Sequence, residues 1–177
     1  MTEDDDISPT GAGTEPVLQE ERIARLIRLA ARSFNRSLQM RLTREGVTFG
    51  QWIFLRILWQ SDGLSQRELS EKANLTEPTA HSALLRMESL GFITRRNVGS
   101  NRRRQHAFLT DKGKALRDVL EPLAIETNQI AVNGLSGPEV ETLRHALNTM
   151  IRNLEQDEKN GVANGMRVPA TRSLAGN

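Results

Sequence analysis

Two clusters of side chains in this 177-residue chain are built for hydrogen bonding to an anionic, edge-rich surface rather than for breaking bonds. The first is Thr76, Glu77, Pro78, Thr79, His81 and Ser82, with Arg86 one turn further on. Short polar groups at a helix start can approach a duplex closely. Threonine methyls can touch thymine, hydroxyls and an imidazole can serve bases or phosphates, and the helix N-terminus itself favours phosphate. The second cluster is Asn101, Arg102, Arg103 and Arg104, which follow Gly99 and Ser100. Three adjacent arginines at a turn repel one another unless an anion is at hand, and an arginine in a narrow minor groove gains from the negative potential there. The competing readings are an ordinary amphipathic helix and a solubilising turn. The order of the two clusters along the chain argues for a polyanion.

The elements that must position these groups lie between Leu64 and Gly113. Ser65 and Glu68 form a capping box, with Leu64 and Leu69 in staple positions, so the spacing predicts a short helix over Gln66–Lys72. Asn74 suits a turn, Thr76 caps the next helix, and Pro78 is tolerated in its first turn. Ala80, Ala83, Leu84, Met87 and Leu90 then face inward, and Gly91 fits the left-handed position after the helix, with Phe92 packing back toward Met87. Short strands at Ile93–Val98 and Gln105–Leu109 flank the arginine tip. Two helices joined by a tight turn and followed by a basic hairpin make a winged helix-turn-helix, which sets its second helix in a DNA major groove with the hairpin beside it. Ser65 and Gln66 are candidates for contacts to the DNA backbone.

Helical patterns flank this lobe. From Glu20 to about Arg44, Ile23, Leu26, Ile27, Ala30, Phe34, Leu38 and Leu42 recur at spacings of three and four, until Gly46 ends the helix. A helix of ~25 residues is nearly 40 Å long and outreaches one small core, so part of its apolar face needs another partner. Thr48 and Gln51 box the start of TFGQWIFLRILWQS, apolar almost all round and the expected buried hub. Thr110 starts a fifth helix and Ser136, boxed with Glu139, a sixth, with stripes at Leu116, Val119, Leu120 and Leu123, and at Val140, Leu143, Leu147, Met150, Ile151 and Leu154. The fold class is mostly α with a small β-hairpin wing, a winged helix-turn-helix lobe plus a helical layer. Residues 1–18 and 157–177, rich in small and polar types, read as disordered tails.

Charge sharpens the picture. The net charge is +2, but residues 1–21 hold seven acids and no base, which leaves 24 bases against 15 acids in the remainder. Between Arg86 and Arg104 there are six arginines and one acid, Glu88, a local patch suited to a polyanion. The absence of cysteine excludes disulfides, thiolate metal sites and thiol redox sensing. Glu141 and His145 stand four apart with no further ligand nearby in sequence, so a surface pair is the better reading and no metal or cofactor is expected. No nucleophile–base pairing or phosphate loop is visible, which argues against an enzyme. No apolar run approaches the ~20 residues that span a bilayer, and the N-terminus lacks a signal-peptide pattern. A cytoplasmic protein is expected.

The stretch LSQRELSEKANLTEPTAHSALLRMESLGFITRR, with the wing NRRRQHAFLTDKG, resembles the MarR family of winged-helix regulators over roughly Glu20–Leu154. The resemblance implies a homodimer in which residues 19–46 and 111–156 interlock as a dimerisation layer while 47–110 form the DNA-binding lobe. It implies a pseudo-palindromic double-stranded DNA target and an effector pocket between the layers. Aromatic acids, phenols or their coenzyme A thioesters would then relieve repression. The family wing usually carries Asp-Xaa-Arg; here Asn101 and Arg103 occupy those places, the pairing loses a charge, and Arg102 and Arg103 both remain candidates for the minor groove. Pocket candidates are Phe34 and Trp52, with Arg32 or Arg36 as anion partner, against the plainer readings of core packing and a solvated face. The alternative function is an architectural or antagonist DNA-binding protein without an effector.

Overall fold

The computed structural model describes residues 22–98 and 105–167. The chain parses into two units, Met1–Ser33 and Phe34–Asn177, and the division falls within the first helix. Element order is α1 (Ile23–Arg44), α2 (Phe49–Gln60), β1 (Leu64–Ser65), α3 (Gln66–Lys72), α4 (Glu77–Ser89), β2 (Ile93–Asn97), β3 (Gln105–Leu109), α5 (Asp111–Ala131) and α6 (Gly137–Ala163). In the first unit the described residues, 22–33, are the opening turns of α1, with Leu26 and Ile27 half-buried and Arg32 exposed.

The second unit is organised around α2. Its capping box is closed in both directions: Gln51 N–H donates to Thr48 Oγ1 at 3.3 Å, and Thr48 N–H donates to Gln51 Oε1 at 2.9 Å. Trp52, Phe54, Leu55 and Leu58 are buried, joined by Leu42 from α1, Leu69 from α3, Leu84 and Met87 from α4, and Leu120 from α5. Fully burying side chains of this size contributes about 1.5–3 kcal/mol each. An ion pair of 3.0 Å between Arg41 and Glu126 ties the end of α1 to α5.

The sheet has the order β1-β3-β2 and is antiparallel throughout. β2 and β3 form the hairpin, from Ile93 opposite Leu109 to Asn97 opposite Gln105. The third strand was not expected from the sequence. Leu64 and Ser65 pair with Ala107 and His106, and two residues carry no periodicity of their own. Asp62 anchors the β3 end, its Oδ1 accepting the N–H groups of Gly63 and Leu109 at 3.0 and 2.9 Å.

The C-terminal helix departs from expectation. α6 runs to Ala163, so residues 157–163, read above as part of a disordered tail, are helical. Its stop is a paired left-handed cap: Gly165 has φ +82°, its N–H donates to Val162 O at 3.0 Å, and Met166 N–H donates to Gly161 O at 2.9 Å. Gly161 is the one buried residue on this 27-residue helix. Leu143, Leu147, Ile151 and Leu154 lie along one exposed stripe.

Candidate nucleic-acid interface

The end of α4 offers more free groups than the sequence implied. Thr76 occupies the N-cap but makes no capping bond to the backbone. The second helical position is Pro78, which has no N–H to give. The hydroxyl of Thr79 at the third position takes the Thr76 hydroxyl instead, Oγ1 to Oγ1 at 2.8 Å. Glu77, Pro78, Thr79, His81, Ser82 and Arg86 are all exposed, and Ser82 Oγ donates to Pro78 O at 3.1 Å. First-turn amides and short side chains thus point outward together, an arrangement suited to an anion or to base edges.

Of the two backbone-contact candidates, Gln66 is tied to His81 on this surface, while Ser65 lines the groove beside it with its hydroxyl already engaged. His81 Nδ1 donates to Gln66 Oε1 at 2.9 Å, so α3 and α4 share a polar seam. Ser65 is buried, and its hydroxyl is held in the cap of α3, donating to Glu68 Oε2 at 2.5 Å and accepting from Glu68 N–H at 3.3 Å. A groove of about 840 Å³ runs from Gln66 and His81 to Gln105 and His106 on the hairpin, with Ser65, Arg67, Glu68, Glu71 and Glu77 also on its walls. His106 turns Nδ1 inward, donating to Gly63 O at 2.8 Å.

At the hairpin the arginines divide in their work. Arg95 points inward: its backbone N–H donates to Glu88 Oε1 at 3.0 Å and its Nε to Oε2 at 2.9 Å, with Nη2 at 2.8 Å from Oε2. Burial pushes the Glu88 carboxyl up, but Arg95's hydrogen bonds and charge outweigh it and leave the group below its ordinary value. The single acid of the basic stretch is therefore spent on one of its six arginines. Arg96 faces outward, its guanidinium 4.0 Å from the centre of the Phe108 ring. Asn101, Arg102, Arg103 and Arg104 lie outside the described residues.

The hairpin root is rigid. Thr110 Oγ1 donates to Gly91 O at 2.6 Å and accepts from Gly113 N–H at 3.1 Å. Lys112 Nζ donates to Leu90 O at 3.0 Å, and Trp59 Nε1 to Gly113 O at 2.9 Å. A Cβ on Gly113 would overlap the Phe92 carbonyl oxygen, so only glycine fits there.

A second cavity, of about 440 Å³, lies among α1, α2, α3 and α5 within the second unit. Phe34 and Trp52 line it, as nominated, but its cations are Arg56 and Lys72. Arg36 is exposed and does not line it, and Arg32, in the first unit, is described only as exposed. Arg56 was hidden in the sequence within an apolar run, although its spacing of four from Trp52 places both on one face. Its guanidinium stands 5.7 Å from the Trp52 ring centre.

A helix-turn-helix with its second helix end bare and a stapled hairpin alongside defines a winged-helix DNA-binding protein. The sequence profile of the MarR family matches residues 47–104. The regulator TtmR of Methylorubrum extorquens is 27% identical over 164 residues, 93% of this chain and 80% of the relative. The solved SlyA transcriptional regulator aligns with a TM-score of 0.70 at 28% identity, over 77% of this chain and 96% of that one. A MarR-family regulator from Listeria monocytogenes, complexed with 26mer DNA, has the same fold, with a TM-score of 0.70 at 23% identity over 84% of this chain and 99% of that one. Residues 47–104 carry the MarR-family pattern, and along most of its length the chain is similar to transcriptional regulators of that family. Among the described residues no helix is long and apolar enough to cross a membrane, and no group of three or more His, Asp or Glu side chains is placed to hold a metal.

Proposed function

We propose that this regulator works as a homodimer on a pseudo-palindromic duplex, as a repressor released by a small aromatic effector. The observation that carries the DNA reading is the bare end of α4, where Thr76, Glu77, Pro78, Thr79, His81 and Ser82 stand together without a backbone cap. In this reading those residues enter the major groove, where Glu77 can accept from a cytosine amino group and the threonine methyls meet thymine. Arg86 and Gln66 hold the backbone, and an arginine from Asn101–Arg104 takes the adjacent minor groove. The Listeria relative was solved on DNA.

Dimerisation is supported by unpartnered apolar surface. Residues 19–46 and 111–156 are assigned to the dimer layer and 47–110 to the DNA-binding lobe. Leu143, Leu147, Ile151 and Leu154 are 38–65% exposed on α6, and Ile125 and Ile130 on α5 are more than half exposed. So continuous a stripe is costly in water unless a second copy covers it. The effector reading rests on the cavity that Phe34 and Trp52 line, whose volume lies in the range of small-molecule sites. The Rv2887 repressor of Mycobacterium tuberculosis, 29% identical over 102 residues, has been crystallised with salicylic acid.

Footprinting of the promoter beside the gene tests the DNA reading. Two half-sites with centres about 10 bp apart are expected, and one asymmetric half-site would contradict the dimer. Arg103→Ala should weaken binding and reduce the salt slope by about one charge. An unchanged slope would remove that arginine from the interface.

A further inference from the structure

The cavity among α1, α2, α3 and α5 has a division of labour that bears on what it holds. Its floor is buried and apolar, with Leu38 and Trp52, while its rim is exposed and polar, with Arg56, Gln60 and Lys72. Two of its lining residues are cations and none is an acid. Among the described residues neither Arg56 nor Lys72 is paired with a carboxylate, whereas Arg41, Arg67, Arg95, Lys114, Arg117 and Arg144 all are. The contact the structure gives Arg56 is the face of Trp52. Two unneutralised positive charges on one small cavity oppose each other until an anion arrives. Their attachment points also differ: Arg56 belongs to α2, and Lys72 ends α3, the first helix of the helix-turn-helix.

We propose that this cavity is a receptor for an aromatic ligand with two negative charges, such as an aromatic dicarboxylate, the ring seated on Trp52 and Phe34 and the charges taken by Arg56 and Lys72. The inference rests on the effector reading above and goes further, because that reading is satisfied by any aromatic acid or phenol. A monoanion answers one cation and leaves the other unpaired. A dianion answers both and joins α2 to the DNA-binding helices through Lys72. An effector of this class therefore acts on the helix-turn-helix by direct contact. Arg56 can meet the anion by turning from the Trp52 face, which makes indole fluorescence a second readout.

The test is calorimetric titration of the full-length protein with benzoate and with isophthalate, which share a ring and differ by one carboxylate. Both are also scored by tryptophan fluorescence and by release of bound DNA. A second charge-assisted contact at a partly exposed rim should favour isophthalate about tenfold, which corresponds to ~1.4 kcal/mol. Lys72→Gln and Arg56→Gln should each remove most of that preference, and Lys72→Arg should retain it. Both positions are exposed, and thermal unfolding checks that each variant folds. Equal affinity for the two acids, or Lys72→Gln weakening both alike, overturns the two-charge receptor while the aromatic-effector reading stands. If neither acid binds, the receptor and the effector reading fall together, and the DNA reading is judged by its own footprint.

Discussion

Removing the Glu88 carboxylate asks whether α4 and the hairpin are held as one piece. Glu88 sits in the last turns of α4 and Arg95 in the middle of β2. Three contacts of 2.8–3.0 Å join them. The Arg95 side chain is 10% exposed and Glu88 37%, and Arg95 Nη1 is already buried without a partner. Glu88→Ala strands this guanidinium. Removing one partner of a buried pair costs 3–5 kcal/mol, but water reaches a third of Glu88, so about 2–3 kcal/mol is expected. At ~2–4 °C per kcal/mol for a chain of this size, Tm should fall by roughly 5–10 °C. Glu88→Gln keeps an acceptor and should lose about half as much. The sign with pH follows from the carboxyl lying below its ordinary value in the folded state. Its stabilisation is complete above the unfolded pKa and lost as pH falls through the folded one. The gap between wild type and Glu88→Gln, followed by circular dichroism, should stay constant from pH 7 to about 5 and close below about 4. A fall under 2 °C for Glu88→Ala at pH 7, or a gap that widens in acid, refutes the clamp.

Gly113→Ala should cost at least the ~1–3 kcal/mol of overpacking, because the Phe92 oxygen it would strike also accepts the Thr110 N–H at 3.1 Å. An unchanged Tm would show that the hairpin root yields. Leu147→Glu with Ile151→Glu should convert the proposed dimer to monomer in light scattering and abolish tight operator binding, since both lie on the exposed α6 stripe; a dimer that persists places the interface elsewhere. Thr79→Val and His81→Ala should relax base preference by ~1–3 kcal/mol per lost contact in competition with random DNA. Equal losses on both DNAs would reassign these residues to the backbone.

What the sequence made legible was local. The boxes at Thr48, Ser65 and Ser136 place their helix starts because donor and acceptor sit three residues apart on one strand of chain. Gly91, with φ +72°, ends α4 as its position implied, with Phe92 N–H returning to Met87 O at 3.0 Å. What escaped was non-local or a competition between neighbours. β1 exists through Ala107 and His106, more than forty residues away. The Glu88–Arg95 pair spans a turn, so neither helical nor strand spacing reveals it. Thr76 has the residue type of a cap, yet the proline two positions on removes one amide and the Thr79 hydroxyl intercepts the rest. Asp157–Ala163 was misread from composition, although Asn164-Gly165 behind a run of helix formers was itself a stop signal. Arg56 and Lys72 meet across a cavity that only tertiary packing creates.

These misses share a physical logic. The two ends of α4 are treated in opposite ways. Its C-terminal end is fastened four times over, by the left-handed turn at Gly91, by Lys112 and Thr110 bonding the carbonyls of Leu90 and Gly91, and by Glu88 holding Arg95. Its N-terminal end is left bare, with one polar tie from His81 to Gln66. A capping side chain there would stabilise the helix by about 1 kcal/mol, but it would also occupy the amides and hydroxyls assigned to the duplex in the proposed function. Placing the stability at the far end lets the exposed end stay unsatisfied without fraying the helix, and fixes its direction relative to the hairpin. If the end of α4 enters the duplex as proposed, Glu88 and Arg95 serve recognition as well as folding: loosening them should harm DNA affinity more than the small fraction of unfolded chain would explain.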